Sequence, residues 1–399
     1  MSPQGPGPLD TLVGTRHIVV CCGSGGVGKT TTAATMAVEG ARRGRDAVVV
    51  TIDPAKRLAN ALGLDALSDT AHEIDRALWD PDGEAPEGGR LSALMLDTKS
   101  TFDKLVAKYA GGAEQAAGIL ENRFYRNISS ALSGTQEYMA MEKLHELHDE
   151  GGYDLIVVDT PPTRNALDFL EASDRLTRFL DHRLVRILLF PTRATLRAAS
   201  VAAQAFLRTM SRVVGTEVVQ DAITFFQAFE GMEQGFRERA QKVEELLSDP
   251  RSAFVLVTSP RRDAVDEAFW FARRLGENDI PVQGIVVNRI HPRFGDEDAG
   301  GLYARADTLE GAGDEPSRFL AGLYRNLADF QQVADLERDY IARLAETVAA
   351  EEGAPIPVGY VPFLPDDVHD FDGLTAIASH LFPREAEPPE PSALPVAGH

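Results

Sequence analysis

This sequence has few cysteines and fewer basic than acidic residues, and each of these facts limits the functions that the protein can have. The two cysteines, Cys21 and Cys22, are adjacent, so they provide neither a disulfide framework nor a C-x-x-C metal site. They follow an apolar run, which favours buried strand residues over redox chemistry. The 40 basic residues are outnumbered by 61 acidic ones, and the net charge of −21 opposes attraction to nucleic-acid backbones or anionic lipid. The charge argues against nucleic acid as a main partner.

Long apolar runs are also missing. No uninterrupted apolar run approaches the roughly 18 to 20 residues that a helix needs to cross a bilayer. The N-terminus, MSPQGPGPLD, lacks a basic region followed by an apolar stretch, so it does not resemble a secretory signal. These absences predict a cytoplasmic protein, for which any membrane association would be peripheral and through a partner.

Seven short apolar runs rich in β-branched residues predict the strands of the fold. Continuous rather than alternating apolar runs are typical of parallel strands covered on both faces. Turn residues and helix-like sequence follow each run, so we predict an α/β fold with a doubly wound, mostly parallel sheet. The predicted strands are 17–22, 47–52, 92–97, 153–159, 253–258, 282–288 and 356–361.

Two long intervals interrupt that rhythm and predict helical insertions. They span about 98–150 and 164–248, and the second contains a short RILLF segment at 186–190 as a candidate strand. The second interval also carries an amphipathic stripe, which either packs against a neighbouring helix or forms a client-binding groove. The stripe consists of Ile223, Phe226, Phe229, Met232, Phe236, Ala240, Val243 and Leu247.

Composition sets the remaining boundaries. Residues 1–14 and the proline-rich tail 384–399 are expected to be disordered, which leaves one folded domain over 15–383. The glycine-rich acidic stretch 295–315 is expected to be a solvated connection, and a third helical stretch covers about 316–350.

A glycine-rich segment carries the most specific motif of the chain. Residues 23–30, GSGGVGKT, match G-x-x-x-x-G-K-[S/T] between a predicted strand and a predicted helix. The glycines let successive backbone N–H groups point inward, and the helix N-terminus adds partial positive charge. The motif therefore predicts a P-loop ATPase domain that binds ATP. The predicted nucleotide contacts in the loop are Gly23, Ser24, Gly25, Gly26, Val27, Gly28, Lys29, Thr30 and Thr31.

Four polar side chains are the candidates for chemistry at this loop. Lys29 is expected to reach the β- and γ-phosphate oxygens, and the Thr30 hydroxyl to ligate Mg²⁺. Asp53 and Asp159 follow predicted strands, and ligands of doubly wound sheets gather at the carboxyl ends of strands. An aspartate there can also only cap a turn, but two of them beside a phosphate loop favour catalysis.

The order of the motifs resembles a known family. The loop is followed by D-P-A from Asp53, D-T-P-P-T from Asp159, V-V-N ending at Asn288, and V-P-F-L-P at 361–365. This order is similar to the ArsA arsenite-pump ATPases and their relatives that target tail-anchored membrane proteins, over about residues 15–375. The wider group includes the MinD and ParA ATPases, but the D-P-A element, the insertions and V-P-F-L-P favour the ArsA branch.

The resemblance implies a role for each matched residue. Asp53 would orient or activate the attacking water, and Asp159 with Thr160 would lie near Mg²⁺ and the γ-phosphate, with Asp159 binding the metal directly or through water. Asn288 would read the adenine edge, although an asparagine after a buried strand can also only form a turn. The base pocket would be formed by Pro362, Phe363 and Leu364.

Several positions depart from the family pattern. Ser24 replaces a lysine that reaches the partner subunit's phosphates across a dimer, so a homodimer of this chain should hydrolyse ATP slowly. A lysine-bearing paralogue could supply the missing charge in a heterodimer. Lys56 and the pair Arg164-Asn165 replace other signature residues, and Lys56 or Arg164 could compensate for Ser24 or remain solvated.

Missing ligands argue against two properties of the family. Neither the arsenite-binding cysteines nor the zinc-holding C-x-x-C has a counterpart, which argues against arsenite pumping and a zinc-clasped dimer. His145 and His148 are spaced for metal binding on a predicted helix, but a solvated helical face explains them more simply.

The sequence thus predicts an ATP- and Mg²⁺-dependent ArsA-like ATPase that acts as a dimeric switch for membrane-protein or transport partners. The dimer would be a homodimer or a heterodimer with the lysine-bearing paralogue. One alternative is a weakly hydrolysing regulatory subunit of a heteromeric ATPase complex, which Ser24 supports. Another is a MinD/ParA-like positioning ATPase, which the negative charge and the lack of a basic amphipathic C-terminal helix disfavour. A small-molecule kinase would need a shaped acceptor pocket.

Overall fold

The structure, a computed structural model, describes residues 7, 9–53, 57–128, 135–150, 152–161, 212, 215–228 and 231–383. Its centre is an eight-stranded sheet in the order β3-β4-β2-β5-β1-β6-β7-β8. All neighbouring strands are parallel except β3 and β4, which are antiparallel. The strands are β1 (Ile18–Cys22), β2 (Asp46–Thr51), β3 (His72–Glu73), β4 (Arg90–Met95), β5 (Leu155–Asp159), β6 (Ser252–Thr258), β7 (Val282–Ile290) and β8 (Val358–Pro362).

Helices cover both faces of the sheet, and the residues of β1 show why its sequence is continuously apolar. Ile18, Val20 and Cys22 belong to one hydrophobic cluster. Val19 and Cys21, which point the other way, belong to a second. The helices are α1 (Asp10–Thr15), α2 (Lys29–Arg42), α3 (Arg57–Ala61), α4 (Arg76–Trp79), α5 (Thr98–Tyr109), α6 (Ala113–Leu120), α7 (Arg123–Ile128), α8 (Thr135–Glu150), α9 (Thr216–Ala228), α10 (Glu233–Leu247), α11 (Arg262–Gly276), α12 (Ala299–Ala312), α13 (Glu315–Glu352) and α14 (Phe371–Leu381).

This architecture confirms the predicted α/β class with its mostly parallel sheet. Each of the seven predicted apolar runs overlaps a strand. The sequence did not predict β3, a two-residue edge strand whose residues, His72 and Glu73, are both exposed. A short polar edge strand has no apolar run, because neither of its side chains enters the core.

The expectation of disorder over residues 1–14 is wrong for residues 9–14. Helix α1 begins at Asp10, and Leu9, Leu12 and Val13 are buried. A side chain added at Gly284 of β7 would meet Leu9 and Leu12, so the missing side chain of this glycine leaves the space that the helix fills. Apolar residues at three positions were enough to order a segment that is rich in proline and glycine.

The first helical interval contains α5 to α8, and the amphipathic stripe of the second packs against it. Met232, Phe236, Ala240, Val243 and Leu247 are all at most 5% exposed and share the cluster that includes residues of α5 and α8. Ile223 and Phe226 are half-buried, and Phe229 lies outside the described residues. At the five buried positions the stripe is therefore core, which leaves no open client groove there.

The expectation of a solvated connection over 295–315 is wrong, because α12 occupies most of it. Asp298 caps α12 by accepting from the Gly301 N–H at 2.7 Å. Helix α12 packs against α13, and its Leu302 and Ala306 are buried. This helix is rich in small residues and glycines, so it lacks the apolar periodicity from which a helix is predicted.

Some predictions lie outside the described residues. They concern the RILLF segment at 186–190, the tail 384–399, Lys56, and the pair Arg164-Asn165. Among the helices that the structure describes, none combines the length and apolarity needed to cross a membrane.

Candidate nucleotide-binding site

The glycine-rich loop connects β1 to α2 and is packed so tightly that two of its glycines have no room for a side chain. A Cβ on Gly23 would lie 1.9 Å from the carbonyl oxygen of Val257 in β6. A Cβ on Gly28 would lie 2.2 Å from Nδ2 of Asn288. Both glycines also have positive φ, +152° and +97°, which residues with side chains rarely adopt. Strands β6 and β7 therefore fix the path of the loop.

Lys29, the first residue of α2, is buried beneath this loop and only 7% exposed. Its Nζ donates to the carbonyl oxygen of Ser24 at 2.9 Å. Burial lowers the pKa of Lys29, and the nearby carboxylate of Asp159 acts in the opposite direction. The loop thus holds a preplaced cation at its centre.

Asp159 ends β5, where the sheet register places it beside Cys21 of β1 and Thr51 of β2. Its Oδ2 accepts hydrogen bonds from the hydroxyls of Thr30, at 2.8 Å, and Thr51, at 2.9 Å. Its Oδ1 is buried without a hydrogen-bond partner among the described residues. Burial raises the pKa of Asp159 to about 6, although the two hydroxyls lower it. One oxygen of a buried carboxylate is therefore left to a further ligand.

Two other predicted residues lie at neighbouring strand ends. Asp53 follows β2, its backbone N–H donates to the hydroxyl of Thr51 at 3.2 Å, and its Oδ2 lies 3.7 Å from the guanidinium of Arg57. The Thr160 hydroxyl donates to the carbonyl oxygen of Cys21 at 2.8 Å. The sheet thus brings Asp53, Asp159 and Thr160 to the same edge as the loop.

A cavity of about 820 Å³ joins most of the predicted residues. Its walls come from the loop, from the ends of β7 and β8, and from the segment after Asp53. A second cavity, of about 390 Å³, is lined by Ser24, Gly25, Gly26 and Val27 among others. Neither cavity is lined by Gly23 or Asp159, which are buried beneath the surface. The predicted residues that line the larger cavity are Gly26, Gly28, Lys29, Thr30, Thr31, Asp53, Thr160, Asn288, Pro362, Phe363 and Leu364.

The residues predicted to bind adenine are among those that line the larger cavity. Asn288 lies at the end of β7, and its Nδ2 donates to the carbonyl oxygen of Val27 at 2.9 Å. Phe363, directly after β8, is 61% exposed and stacks on His291 with 6.4 Å between ring centroids. The exposed part of this ring offers apolar surface to the cavity that it lines.

Sequence reasoning missed three residues of the site. Thr51 holds Asp159 from the adjacent strand, Arg57 faces Asp53, and Arg289 reaches the loop from β7. Arg289 immediately follows the V-V-N segment and has a φ of +62°. Its position after a predicted site residue was the one available signal, because long-range contacts of this kind depend on sheet order.

The other candidate residues do not form a metal or redox site. Cys21 and Cys22 are buried in β1, and burial raises the pKa of both thiols. His145 is only 3% exposed, so the prediction of a solvated helical face is wrong there. His148 instead contacts Nε2 of His17 through its Nδ1 at 2.8 Å. Among the described residues, no cluster of His, Cys, Asp or Glu could hold a metal ion by itself.

A glycine loop between a buried strand and a helix, a lysine beneath it and an aspartate at the neighbouring strand end define the site class. This arrangement, at the carboxyl edge of a doubly wound sheet, is that of a P-loop nucleoside triphosphatase.

Comparison with known proteins places the chain within this class. Residues 16–308 match the model of the anion-transporting ATPases, the ArsA ATPase family. ATPase GET3B of Arabidopsis thaliana is 28% identical over 69% of this chain and 65% of its own length. ATPase GET3C of the same plant is 28% identical over 70% of this chain and 68% of its own, and an uncharacterized protein of Streptomyces coelicolor is 28% identical over 72% and 67%.

The chain belongs to the ArsA ATPase family. Its matched segment spans about two thirds of the length of these relatives, and slightly less for GET3B.

Proposed function

We propose that the chain binds Mg-ATP at the glycine loop and hydrolyses it to ADP and phosphate. The observation that carries this proposal is the contact between Thr30 and Asp159, beside the buried Lys29. These three groups come from the loop and from the adjacent strand β5. They supply a cation for the phosphates and oxygen ligands for a metal at one strand edge.

The oxygen donors of the site fit Mg²⁺. The free Oδ1 of Asp159 is a buried acceptor without a partner among the described residues, and the Thr30 hydroxyl is hydrogen-bonded to the other oxygen of the same carboxylate. Hard oxygen ligands of this kind suit Mg²⁺, which usually keeps several waters and binds few protein groups. Thr30 and Asp159 would hold the Mg²⁺ ion, which when bound would supply positive charge to the phosphate oxygens.

Each protein group would then have one task in hydrolysis. Lys29 would exchange the Ser24 carbonyl for phosphate oxygens, since an ionic hydrogen bond is stronger than one to a neutral carbonyl. Asp53 would orient the water whose oxygen bonds to the γ-phosphorus, while the bond from that phosphorus to the β-γ bridging oxygen breaks. ADP carries away the bridging oxygen, and the proton of the water passes to the released phosphate or to solvent. Asn288, Pro362, Phe363 and Leu364 would hold the adenine.

We also propose that the output is closure of two subunits, which would move the helices of 98–150 and 216–247 relative to a membrane-protein or transport partner. Ser24 supports a heterodimer with a lysine-bearing paralogue. Its side chain is buried and uncharged, and its carbonyl already accepts from Lys29. A homodimer would therefore lack a cation at this loop position and hydrolyse ATP slowly, as a regulatory subunit would.

Steady-state hydrolysis of Mg-ATP by the full chain tests the activity, with Lys29→Ala as the matched control. We expect binding of Mg-ATP by the wild-type chain and loss of both binding and turnover in the variant, because its phosphate-facing cation is gone. Equal turnover in the two proteins would show that another site, or a contaminant, is responsible.

Oligomer mass, recorded in the same samples with and without Mg-ATP, tests the dimer. A homodimer with slow turnover that accelerates when a lysine-bearing paralogue is added is the expected result. Fast turnover by a homodimer alone would overturn the heterodimer proposal and leave the ATPase proposal in place.

A further inference from the structure

Strand β7 holds an arginine in an unusual backbone position just after Asn288. The register between β7 and β8 shifts between Asn288 and Ile290, so Arg289 is the extra residue of a β-bulge. Its φ of +62° lies in the left-handed region, which bulky side chains rarely adopt. A bulge re-aims a side chain that a regular strand would point elsewhere. Here it turns Arg289 toward the glycine loop.

The bulge meets two successive carbonyl groups of that loop. Nδ2 of Asn288 donates to the Val27 carbonyl oxygen at 2.9 Å, and Nη1 of Arg289 lies 3.4 Å from the Gly26 carbonyl oxygen. The first contact is a normal hydrogen bond, whereas the second is long and has a neutral acceptor. Arg289 is exposed and lines both the 820 Å³ and the 390 Å³ cavities. Its guanidinium can therefore reach a ligand in either cavity.

Arg289 differs from Lys29 and Arg57, the other cations of the larger cavity, in the partners that surround its charge. Lys29 is buried and donates to Ser24, and Arg57 faces the carboxylate of Asp53 at 3.7 Å. Within the described part of the chain, Arg289 forms no ion pair with a carboxylate. A planar guanidinium presents a fork of N–H donors that matches phosphate oxygens in pairs.

We propose that Arg289 binds the phosphate chain of the nucleotide in the larger cavity, beside Gly26 of the loop. Arg289 exchanges its weak contact with the Gly26 carbonyl for a charged contact with phosphate oxygens. This inference rests on the proposed ATP site and adds a phosphate-binding residue to it. The competing explanation is that Arg289 only braces the loop through Gly26.

Two substitutions separate the charge from the brace. Arg289→Gln removes the charge and, because its side chain is two bonds shorter, also loses the contact with the Gly26 carbonyl. Arg289→Lys loses the fork of N–H donors but keeps the charge, so only a role of the charge predicts tighter binding by R289K than by R289Q. Calorimetric titration of the full chain with Mg-ATP is expected to give a Kd about tenfold higher for R289Q. R289K should recover part of that loss, and the difference between R289Q and wild type should shrink at high salt.

A third variant removes the backbone strain. Arg289→Gly should raise the melting temperature of the nucleotide-free chain, because glycine adopts a positive φ without strain, and yet weaken Mg-ATP binding as much as R289Q does. Arg261→Gln is the matched control. Arg261 lines the smaller cavity but pairs with Asp263 at 2.6 Å, so its loss should leave the Kd unchanged.

A wild-type Kd in R289Q, or equal losses in R289Q and R289K at every salt concentration, would overturn the role of Arg289. Binding of Mg-ATP by the wild-type chain and its loss in the Lys29→Ala variant would still support the proposed function in that case. If the wild-type chain binds no Mg-ATP, both proposals fail.

Discussion

The buried carboxylate of Asp159 is proposed to serve nucleotide binding, but its charge lowers the stability of the fold. Its pKa is raised to about 6 by burial, so at neutral pH the folded state holds a charge that burial disfavours. The free-energy cost of this buried charge is fully present above the folded-state pKa. It disappears as the pH falls below the ordinary pKa of aspartate. We therefore expect Asp159→Asn to stabilise the nucleotide-free chain at pH 8 by an amount on the order of 2 kcal/mol.

Urea unfolding at pH 8 and at pH 5 measures this effect. The difference in unfolding free energy between D159N and wild type should shrink at pH 5, where the wild-type carboxyl is largely protonated. Mg²⁺-dependent ATP binding should respond in the opposite way, weakening in the wild type as pH falls through about 6 and being lost in D159N. Parallel stability profiles for the two proteins would contradict the assignment.

Gly23 and Gly26 of the loop both have positive φ but differ in the space around them, so substitutions at the two positions can be compared. A Cβ on Gly23 would lie 1.9 Å from the backbone oxygen of Val257, whereas a Cβ on Gly26 meets nothing within 4 Å. Both have positive φ, +152° and +77°. We expect Gly26→Ala to lower the unfolding free energy by only about 1 to 2 kcal/mol, from the backbone alone. Gly23→Ala must also displace β6 and should lower it clearly further.

Melting temperature and Mg-ATP binding, measured on both variants, check this difference. G23A should lose binding together with stability, because the loop follows the displaced strand. G26A should stay folded at temperatures at which G23A has unfolded. Equal melting temperatures for the two variants would show that the loop relaxes around Gly23.

Among single residues, the sequence predicts those that belong to a recognisable motif or follow an apolar run. It misses residues that reach the site only through the order or the irregularities of the strands. Lys29 and Thr30 follow from the loop pattern, and Asp159 from its place after an apolar run. Thr51 contacts Asp159 only because β2 lies beside β5, and Arg289 reaches Gly26 only because β7 bulges. Neither event has a local signature in the chain.

Among the elements, α10 decides whether the amphipathic stripe is core or groove. Phe236 is 1% exposed, and its ring lies 5.8 Å from that of Tyr109 and 6.1 Å from that of Tyr138. Phe236→Ala is expected to lower the unfolding free energy by about 3 to 5 kcal/mol, because it leaves a cavity between α5, α8 and α10. The exposed Glu238 of the same helix provides the control.

Chemical denaturation of F236A and Glu238→Ala, with Mg-ATP binding recorded for both, makes the comparison. E238A should unfold within about 0.5 kcal/mol of wild type. An open groove would instead tolerate F236A, and a change of less than about 1 kcal/mol would contradict the core assignment.

The elements that the sequence mispredicted share a cause. α1 and α12 lie in segments rich in glycine, proline or acidic residues, and each buries only a few apolar side chains, such as Leu12 and Leu302. A few apolar residues hardly change the average composition of a segment, so a prediction from composition misses them. In the folded chain each of them is buried and contributes to packing. Capping aspartates give a better signal, since Asp298 and Asp314 each stand at the start of a helix.

For the whole molecule, the sign of the net charge distinguishes the proposed ArsA-like switch from a positioning ATPase. A net charge of −21 repels anionic surfaces at distances up to about 10 Å at ordinary ionic strength. A basic amphipathic helix could overcome this repulsion locally. Helix α14 presents no such face, because its only basic residue is His380 and its first turn is acidic.

Sedimentation with vesicles of anionic phospholipid, with and without Mg-ATP, tests this argument on the full chain. We expect the protein to stay in the supernatant under both conditions, and to remain there as salt is lowered, since lower salt strengthens the repulsion. Neutral vesicles are the control for non-electrostatic adsorption. ATP-dependent binding to anionic vesicles in the absence of a partner protein would favour the MinD/ParA-like function, because a membrane would then be recognised by this chain itself.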